Sequence, residues 1–503
     1  METGISFGNA STTPHNPSCE IGSPRSALRL SLSRLLPTLM KSRVLPLLVL
    51  LLAPWAASHA AAAPKSAKPN FIVILSDDQS WVGTSQRMIP GNPETASDYF
   101  RTPNIERLAA QGMIFSSGYS PAPFCCPTRR SLQVSQTPAR HEYQADREGW
   151  PAVYRQQLNI PRMLKAADPR YRAAHFGKWD HRYDKITPAD QGYDVSDGPT
   201  GNANGNGLGE GSGAGSKTGK TSELKDPKLA GSLTERASAF LEEQVREGRP
   251  FYLQVSHYAV HLDIQHSAAA LERVKARPAG KKHNLAEFAA MTEGLDAAVG
   301  RLMEKIRTLG LLENTYVFYL SDNGGRSSLP GSKDLGLGLN HPLRGAKSNM
   351  YEGGIRVPFF AVGPGVKAGS VSNVPVTGLD FLPTMAELAG YQPALPATID
   401  GGSITAVLRN AGVGEVKRQR PYLIFHQAVD RNAQSALRWG DLKLVKTWKT
   451  GKLELFDLSK DLSEANDLSG RMPEKTKELD QTLTAFLTQV KATTVQTKIG
   501  KDE

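Results

Sequence analysis

Residues 71–75, Phe-Ile-Val-Ile-Leu, form an unbroken apolar run that ends abruptly in Ser76-Asp77-Asp78. Apolar residues without alternation predict a strand buried on both faces, as in a parallel sheet. A short helix over 104–111 follows and is closed by Gly112. The cycle then repeats. Leu233, Ala237, Phe240, Leu241 and Val245 fall at helical spacing, Ser232 and Glu235 form a capping-box pair at the start, and Gly248 ends the helix. The next predicted strand, 251–255, runs into Ser256 to His261. A third helix, 286–309, stops at Gly310, and its strand, 315–320, ends in Ser321-Asp322-Asn323-Gly324-Gly325.

Helix alternating with strand implies an α/β fold, a large and mostly parallel sheet sandwiched by helices. Ligands of such folds collect outside the carboxyl ends of the strands. Asp77-Asp78, His261 and Asp322-Asn323 each fall just past a predicted strand end, so three separate cycles deliver polar groups to one edge. Beyond Gly390 the pattern changes: 422–425, 442–445 and 453–456 read as short strands between turns, and 474–490 has helical spacing. The expected organisation is a larger domain over 68–400 and a smaller C-terminal α+β domain over 401–503, with an antiparallel sheet. Residues 195–220 are dominated by Gly, Asn and Ser, which suits a plain surface loop or a lid facing the substrate.

The N-terminal region carries no fold signal. Lys41-Ser42-Arg43, the apolar run 44–53 and Ser58-His59-Ala60 read as the three parts of a signal peptide, with Met40 as the true start, so residues 1–60 form a non-structural leader. The apolar run is too short for a stable membrane span. Export to the periplasm or exterior of a bacterial cell is expected. Cys19 falls in the leader, which leaves Cys125 and Cys126 of the three cysteines, and adjacent cysteines rarely bond to each other. The fold must therefore rest on a hydrophobic core and not on disulfides. A formal net charge of +11 suits a polyanionic substrate; nucleic acid is not an expected partner.

Cys125-Cys126-Pro127-Thr128-Arg129 carries the strongest chemical signal. Pro127 suits the first turn of a helix, and a helix N-terminus beside Cys125 favours an anion. The string resembles the C-x-P-x-R signature of the type I sulfatases, of alkaline-phosphatase-like fold. Gly177-Lys178-Trp179 resembles that family's G-K-W-H stretch, with Asp180 in the fourth place and His181 one place later. Ala259-Val260-His261 resembles its A-P-H, and His257 reads as scaffold. Pro342-Leu343-Arg344-Gly345-Ala346-Lys347 with 351–358 resembles its second long signature. A second departure follows the nucleophile box, where Gln133-Val134-Ser135-Gln136 stands in place of L-T-G-R.

The resemblance implies that Cys125 is oxidised to 3-oxoalanine (formylglycine) by a formylglycine-generating enzyme. One hydroxyl of the hydrated aldehyde then attacks sulfur and the other expels sulfate. It assigns Arg129, Lys178 and Lys347 to the sulfate oxygens and His261 to protonation of the leaving oxygen; the displaced histidine's place falls to His181, to Asp180 in its stead, or to a step handled differently. Asp77, Asp78, Asp322 and Asn323 match the metal ligands; an all-oxygen set suits calcium first and magnesium second. The implied activity is hydrolysis of sulfate esters, a sulfated glycan or a sulfated small molecule being the partner. Two other functions fit the same sequence: a formylglycine-dependent phosphonate or phosphate ester hydrolase, and a non-catalytic glycan-binding relative.

Overall fold

The computed structural model describes residues 68–141, 150–181, 185–206, 221–333, 336–428 and 432–495. The expected leader over 1–60, Met40 included, and positions 207–220 of the Gly-rich stretch lie outside the described residues.

Eight strands form the central sheet: β1 (Asn70–Ser76), β2 (Met113–Phe115), β3 (Arg172–Gly177), β4 (Val195–Ser196), β5 (Phe251–Ser256), β6 (Thr315–Ser321), β7 (Phe359–Val362) and β8 (Ser370–Ser372). Their order is β8-β2-β7-β6-β1-β5-β3-β4, and only β7 runs against its neighbours. The three predicted strands lie side by side at the centre, fully buried as their unbroken apolar runs require. Ile72 and Ile74 face one core and Phe71, Val73 and Leu75 the other, so the period-2 alternation sorts each strand between two helical layers.

The first layer includes α1 (Pro103–Ala110), and the opposite one includes α2 (Cys125–Val134). With α1 stand α3 (Ala230–Glu247) and α4 (Ala286–Thr308); with α2 stands α5 (Phe381–Ala389). The expected capping box at Ser232 is not formed. The helix begins two residues earlier, and Asp226 accepts from the amides of Gly231 and Ser232 at 2.7 and 3.1 Å. A carboxylate satisfies the free first-turn amides better than a hydroxyl and suits the helix dipole.

The C-terminal sheet is an antiparallel meander of β9 (Tyr422–Gln427), β10 (Gln434–Trp439), β11 (Leu442–Thr447) and β12 (Lys452–Asp457). Ile424, Leu437, Leu444 and Leu455 pack beneath α6 (Pro473–Gln489), while Leu423, Phe425, Ala436, Val445 and Phe456 pack on Tyr119, Met350 and Ile355 of the larger layer. β10 escapes a hydrophobic reading because Gln434, Ser435 and Arg438 are polar yet buried; Arg438 donates to the Tyr119 hydroxyl.

This face also holds a buried charge network. Lys443, 0% exposed, lies 2.8 Å from both Glu352 Oε1 and Glu464 Oε1. Glu352 Oε2 accepts from Arg356 Nε at 2.5 Å and from the Tyr119 hydroxyl at 2.8 Å. The C-terminal sheet thereby grips the helical turn Glu352–Ile355, inside the second signature.

Candidate active site

Parallel register brings four segments to one edge. Ser76 is level with Ser321, while Leu75 and Gly177 are each level with Ser256. The chain therefore leaves the sheet at Asp77, Asp322, His257 and Lys178 side by side. Backbone bonds extend the ladder past the strands: Asp322 N to Ser76 O at 3.0 Å, Asp77 N to Ala259 O at 2.9 Å and Lys178 N to Ser256 O at 2.8 Å. Gly177 is needed here, since its φ is +91° and a Cβ would sit 2.0 Å from Ser256 O. Asp78 and Asp180 adopt the same left-handed region with φ of 59° and 60°. That conformation costs an ordinary residue about 1–2 kcal/mol, and such strain concentrates at working sites.

Every charged side chain on this edge is paired, and all are nearly dry. Lys178 Nζ lies 2.7 Å from Asp77 Oδ2 and 3.5 Å from Asp180 Oδ2. Lys347 Nζ lies 2.5 Å from Asp78 Oδ1. Arg129, on the first turn of α2, donates through Nε and Nη2 to Asp322 Oδ2 at 3.0 and 2.7 Å. Cys125 is the first residue of that helix, 2% exposed, and close enough to add to the charge interactions of Arg129, Lys178 and Lys347. The expected helix N-terminus beside Cys125 is thus formed.

Three oxygens stand out against this pairing. Asp77 Oδ1, Asp78 Oδ2 and Asn323 Oδ1 are buried and accept no hydrogen bond. A buried acceptor left bare is destabilising, and three converging from two strand ends fit a hard cation. Asp322 differs: its Oδ1 accepts from the Asp78 amide at 3.1 Å and its Oδ2 belongs to Arg129. Asn323 Nδ2 donates to Asp78 Oδ1 and to Gly324 O, each at 2.8 Å, which fixes the amide beside Asp78. His261 joins the aspartates, for Asp77, Asp78 and His261 offer ligand atoms within 4.8 Å of one another.

The electrostatics follow from burial opposed by pairing. Burial disfavours both carboxylates of the Asp77-Asp78 pair, yet Lys178 and Lys347 respectively overcome it and hold them below the ordinary range. Asp322 is pushed up to about 7 by burial and by the neighbouring Asp77, in spite of Arg129. His261 is lowered to about 4 by burial, although Asp78 and Asp77 favour its cation. Its Nδ1 faces Leu262 O at 2.6 Å, which can only accept, so that nitrogen carries the proton and Nε2 faces Asp78 Oδ2 at 3.8 Å.

The structure brings together Asp77, Asp78, Asp322, Asn323, Cys125, Arg129, Lys178, Lys347 and His261. It does not bring His181 to them. That ring is tilted against Trp179 with centroids 4.1 Å apart and bonds the Tyr154 hydroxyl at 3.0 Å, so a one-residue shift along the chain has turned it into the wall. Asp180 takes the position beside Lys178. Positions 200–206 of the Gly-rich stretch belong to this wall as well: Thr200 O accepts from Asp180 N, and Asn204–Asn206 lies on Tyr258. In the other departure, Ser135 occupies the left-handed cap of α2 with φ 55° and donates to Leu379 O at 2.6 Å. Lys228 was missed: 1% exposed, lowered to about 7 by burial, with Asp77 and Asp263 working against that. It sits in no motif, and only burial distinguishes it from a surface lysine.

Bare acidic oxygens ringed by buried cations, at the carboxyl edge of a doubly covered sheet, define a hydrolase built to hold an anionic ester. The profile of the Sulfatase family matches residues 69–391, and that of the N-sulphoglucosamine sulphohydrolase C-terminal region matches 345–493. The chain belongs to the sulfatase family and is a sulfuric ester hydrolase. It is 29% identical to arylsulfatase A of Homo sapiens over 485 residues, covering 85% of this chain and 88% of that protein. It is 30% identical to N-acetylgalactosamine-6-sulfatase of Canis lupus familiaris over 369 residues, 68% of this chain and 66% of that protein. Among solved structures, Ps i-CgsB in complex with k-i-k-neocarrahexaose shares the fold with a TM-score of 0.68 at 22% identity, covering 86% of this chain and 96% of that one.

Proposed function

We propose that this chain is an exported bacterial sulfatase that removes sulfate from carbohydrates, using Cys125 as formylglycine and a divalent cation, calcium before magnesium. The carrying observation is the trio of bare oxygens on Asp77, Asp78 and Asn323 beside Cys125, the buried cations of Arg129 and Lys178, and the part-buried Lys347. Maturation by a formylglycine-generating enzyme would oxidise the Cys125 Cβ to an aldehyde, with sulfur leaving as sulfide and two electrons passing to an external oxidant. The modified residue supplies the nucleophile, and the cation supplies positive charge beside a sulfate oxygen.

The chain's own residues do the rest. Asp77, Asp78 and Asn323 would hold the cation, with Asp322 at its flank fixing Arg129. Lys178, Lys347 and Arg129 neutralise charge growing on the sulfate oxygens in a site that excludes water, usually the largest contribution to such catalysis. His261, 15% exposed, would act as proton donor to the leaving oxygen once its Nε2 is protonated, a form that the neighbouring Asp78 and Asp77 favour. The likeness to N-acetylgalactosamine-6-sulfatase and arylsulfatase A supports the class, and the former's name supports a sugar substrate. Export rests on the expected signal peptide; among the described residues no helix is long and apolar enough to cross a membrane.

Peptide mass spectrometry over Cys125, on protein made together with a maturing enzyme, tests the chemistry. The expected peptide is lighter by the thiol-to-aldehyde change, and Cys125→Ala loses turnover while keeping its fold. An unmodified cysteine in protein that cleaves sulfate esters at full rate overturns the mechanism. Faster release from an aryl phosphate than from the matching aryl sulfate overturns the substrate class.

A further inference from the structure

Arg326 follows the metal-ligand loop directly, in Asn323-Gly324-Gly325-Arg326. Its Nε is buried and bonded to nothing. Among the described residues its guanidinium makes no hydrogen bond or ion pair. The buried arginines of the catalytic layer are bound by carboxylates instead: Arg129 holds Asp322, and Arg356 holds Glu352. Arginine stays charged at any working pH, and this partly buried guanidinium is left without a carboxylate partner among the described residues. A fold that keeps such a group has a use for it that its own carboxylates do not serve.

The surroundings say what that use is. Arg326 lines a cavity of about 20 Å³ together with Asp78, Val260, His283 and Leu329, so one wall is a metal ligand. That volume admits a water and not a sugar. Phe100, His283, Leu329 and Leu339 continue from it into an open groove of about 470 Å³, whose rim carries Asn284, Ser327, Ser328 and Lys333. Arg326 thus stands at the joint between the catalytic edge and a groove of sugar-binding size and polarity.

Its backbone is also fixed. Asn340 Nδ2 donates to Gly325 O, Arg326 O and Gly345 O at 3.0, 3.3 and 3.3 Å, and Lys347 N donates to Gly325 O at 2.8 Å. The main chain under Arg326 is therefore tied to the main chain under Lys347. A guanidinium with a fixed root and a free planar head is prepared for a two-point bond to a carboxylate or sulfate.

We propose that Arg326 reads a second anionic group of the substrate, beyond the ester being cut, on the same sugar or its neighbour. This rests on the carbohydrate-sulfatase reading and narrows it to substrates with at least two anions. The reacting sulfate already has Arg129, Lys178 and Lys347, whereas Arg326 lines the small cavity through which Asp78 adjoins the groove.

Three disaccharides test it: a monosulfate carrying a uronate carboxylate, the same compound with that carboxylate reduced to an alcohol, and a neutral disaccharide carrying two sulfates. Calorimetry in a Cys125→Ala background reads binding without turnover. The expected result is that Arg326→Ala shrinks the affinity ratio of a doubly anionic ligand to the reduced one by about 10- to 100-fold, the range of a charge-assisted bond. Shrinkage confined to the uronate assigns a carboxylate, and shrinkage confined to the disulfate assigns a sulfate. Arg326→Lys, which keeps the charge without the planar fork, recovers only part of the ratio. Ratios unchanged in Arg326→Ala, or fully restored in Arg326→Lys, overturn the two-point assignment. Turnover of the same compounds by the matured Cys125 protein separates the two readings. Arg326-dependent binding without sulfate release keeps Arg326 and sinks the sulfatase chemistry; sulfate release at an equal kcat/KM ratio with and without Arg326 does the reverse.

Discussion

Lys443→Met puts the grip of the C-terminal sheet on the active-site layer to the test. The lysine is 0% exposed and lies between two carboxylates, each 2.8 Å away. Methionine has similar length and no charge, so packing is nearly kept and the perturbation is electrostatic. Glu352 retains Arg356 and the Tyr119 hydroxyl, so the loss falls chiefly on Glu464. Removing one partner of a buried ion pair costs about 3–5 kcal/mol because the survivor is left uncompensated. Glu464 is already pushed up to about 7 by burial and by Glu352 against the pull of Lys443, so without the lysine it takes up a proton and the loss falls at the lower end. Unfolding entropy of about 2.1 cal/mol/K per residue gives roughly 0.9 kcal/mol/K for the unit over 62–503, so Tm falls by about 3 °C. Scanning calorimetry on apo protein reads this directly. Lys443→Met with Glu464→Gln removes the stranded carboxyl and restores about half of the loss. A Tm shift under about 1 °C, or a double variant no better than the single, refutes the reasoning. Sulfate release falls less than tenfold in either variant, because the cations that face sulfate are untouched.

Glu464→Gln alone alters the pH dependence of stability. Because its folded-state value lies above the ordinary carboxylate value, the folded protein holds a proton that the unfolded chain lacks between about pH 4.5 and 7. Stability therefore declines as pH rises through that window, by up to about 1.4 kcal/mol per unit for this group, and urea midpoints at pH 5 and 7.5 converge in the glutamine variant. Calcium raises Tm and a chelator lowers it, by about 3 kcal/mol of added stability at a hundredfold excess over Kd; Asn323→Leu, which deletes one bare oxygen, abolishes most of that calcium response in a thermal melt. Lys347→Met lowers kcat on an aryl sulfate by about 10²–10³, the loss typical of removing one charge-stabilising donor; a loss under threefold removes Lys347 from the sulfate site.

The site was legible where its residues end buried strands. A continuous apolar run admits one reading, and the polar pair that stops it must lie at the sheet edge, as Asp77-Asp78 and Asp322-Asn323 do. His181 was misplaced because residue type alone does not show which way a side chain turns after a one-residue shift; packing on Trp179 decides that. Lys228 and Arg326 were invisible for a related reason, since a loop lysine or arginine is ordinarily solvated, and only the folded surroundings reveal that Lys228 is buried and that Arg326 lines a cavity beside Asp78. β10 went unread because its buried polar side chains find partners on other elements. The cap of α3 went to Asp226, outside the local four-residue pattern.

The enclosure of Cys125 sets an order of events in the life of the chain. A thiol 2% exposed, on a helix turn behind Arg129, cannot be presented to a second enzyme once the sheet has closed. On the proposed mechanism, oxidation would therefore precede folding, while the Cys125 segment is still an extended peptide. The catalytic edge needs β1 joined to β6, with Ser76 level with Ser321, and pairings between such distant stretches form slowly. On that mechanism the slow assembly of the catalytic edge would be the interval in which its nucleophile is made, and molecules that close too early would stay inert until unfolded again.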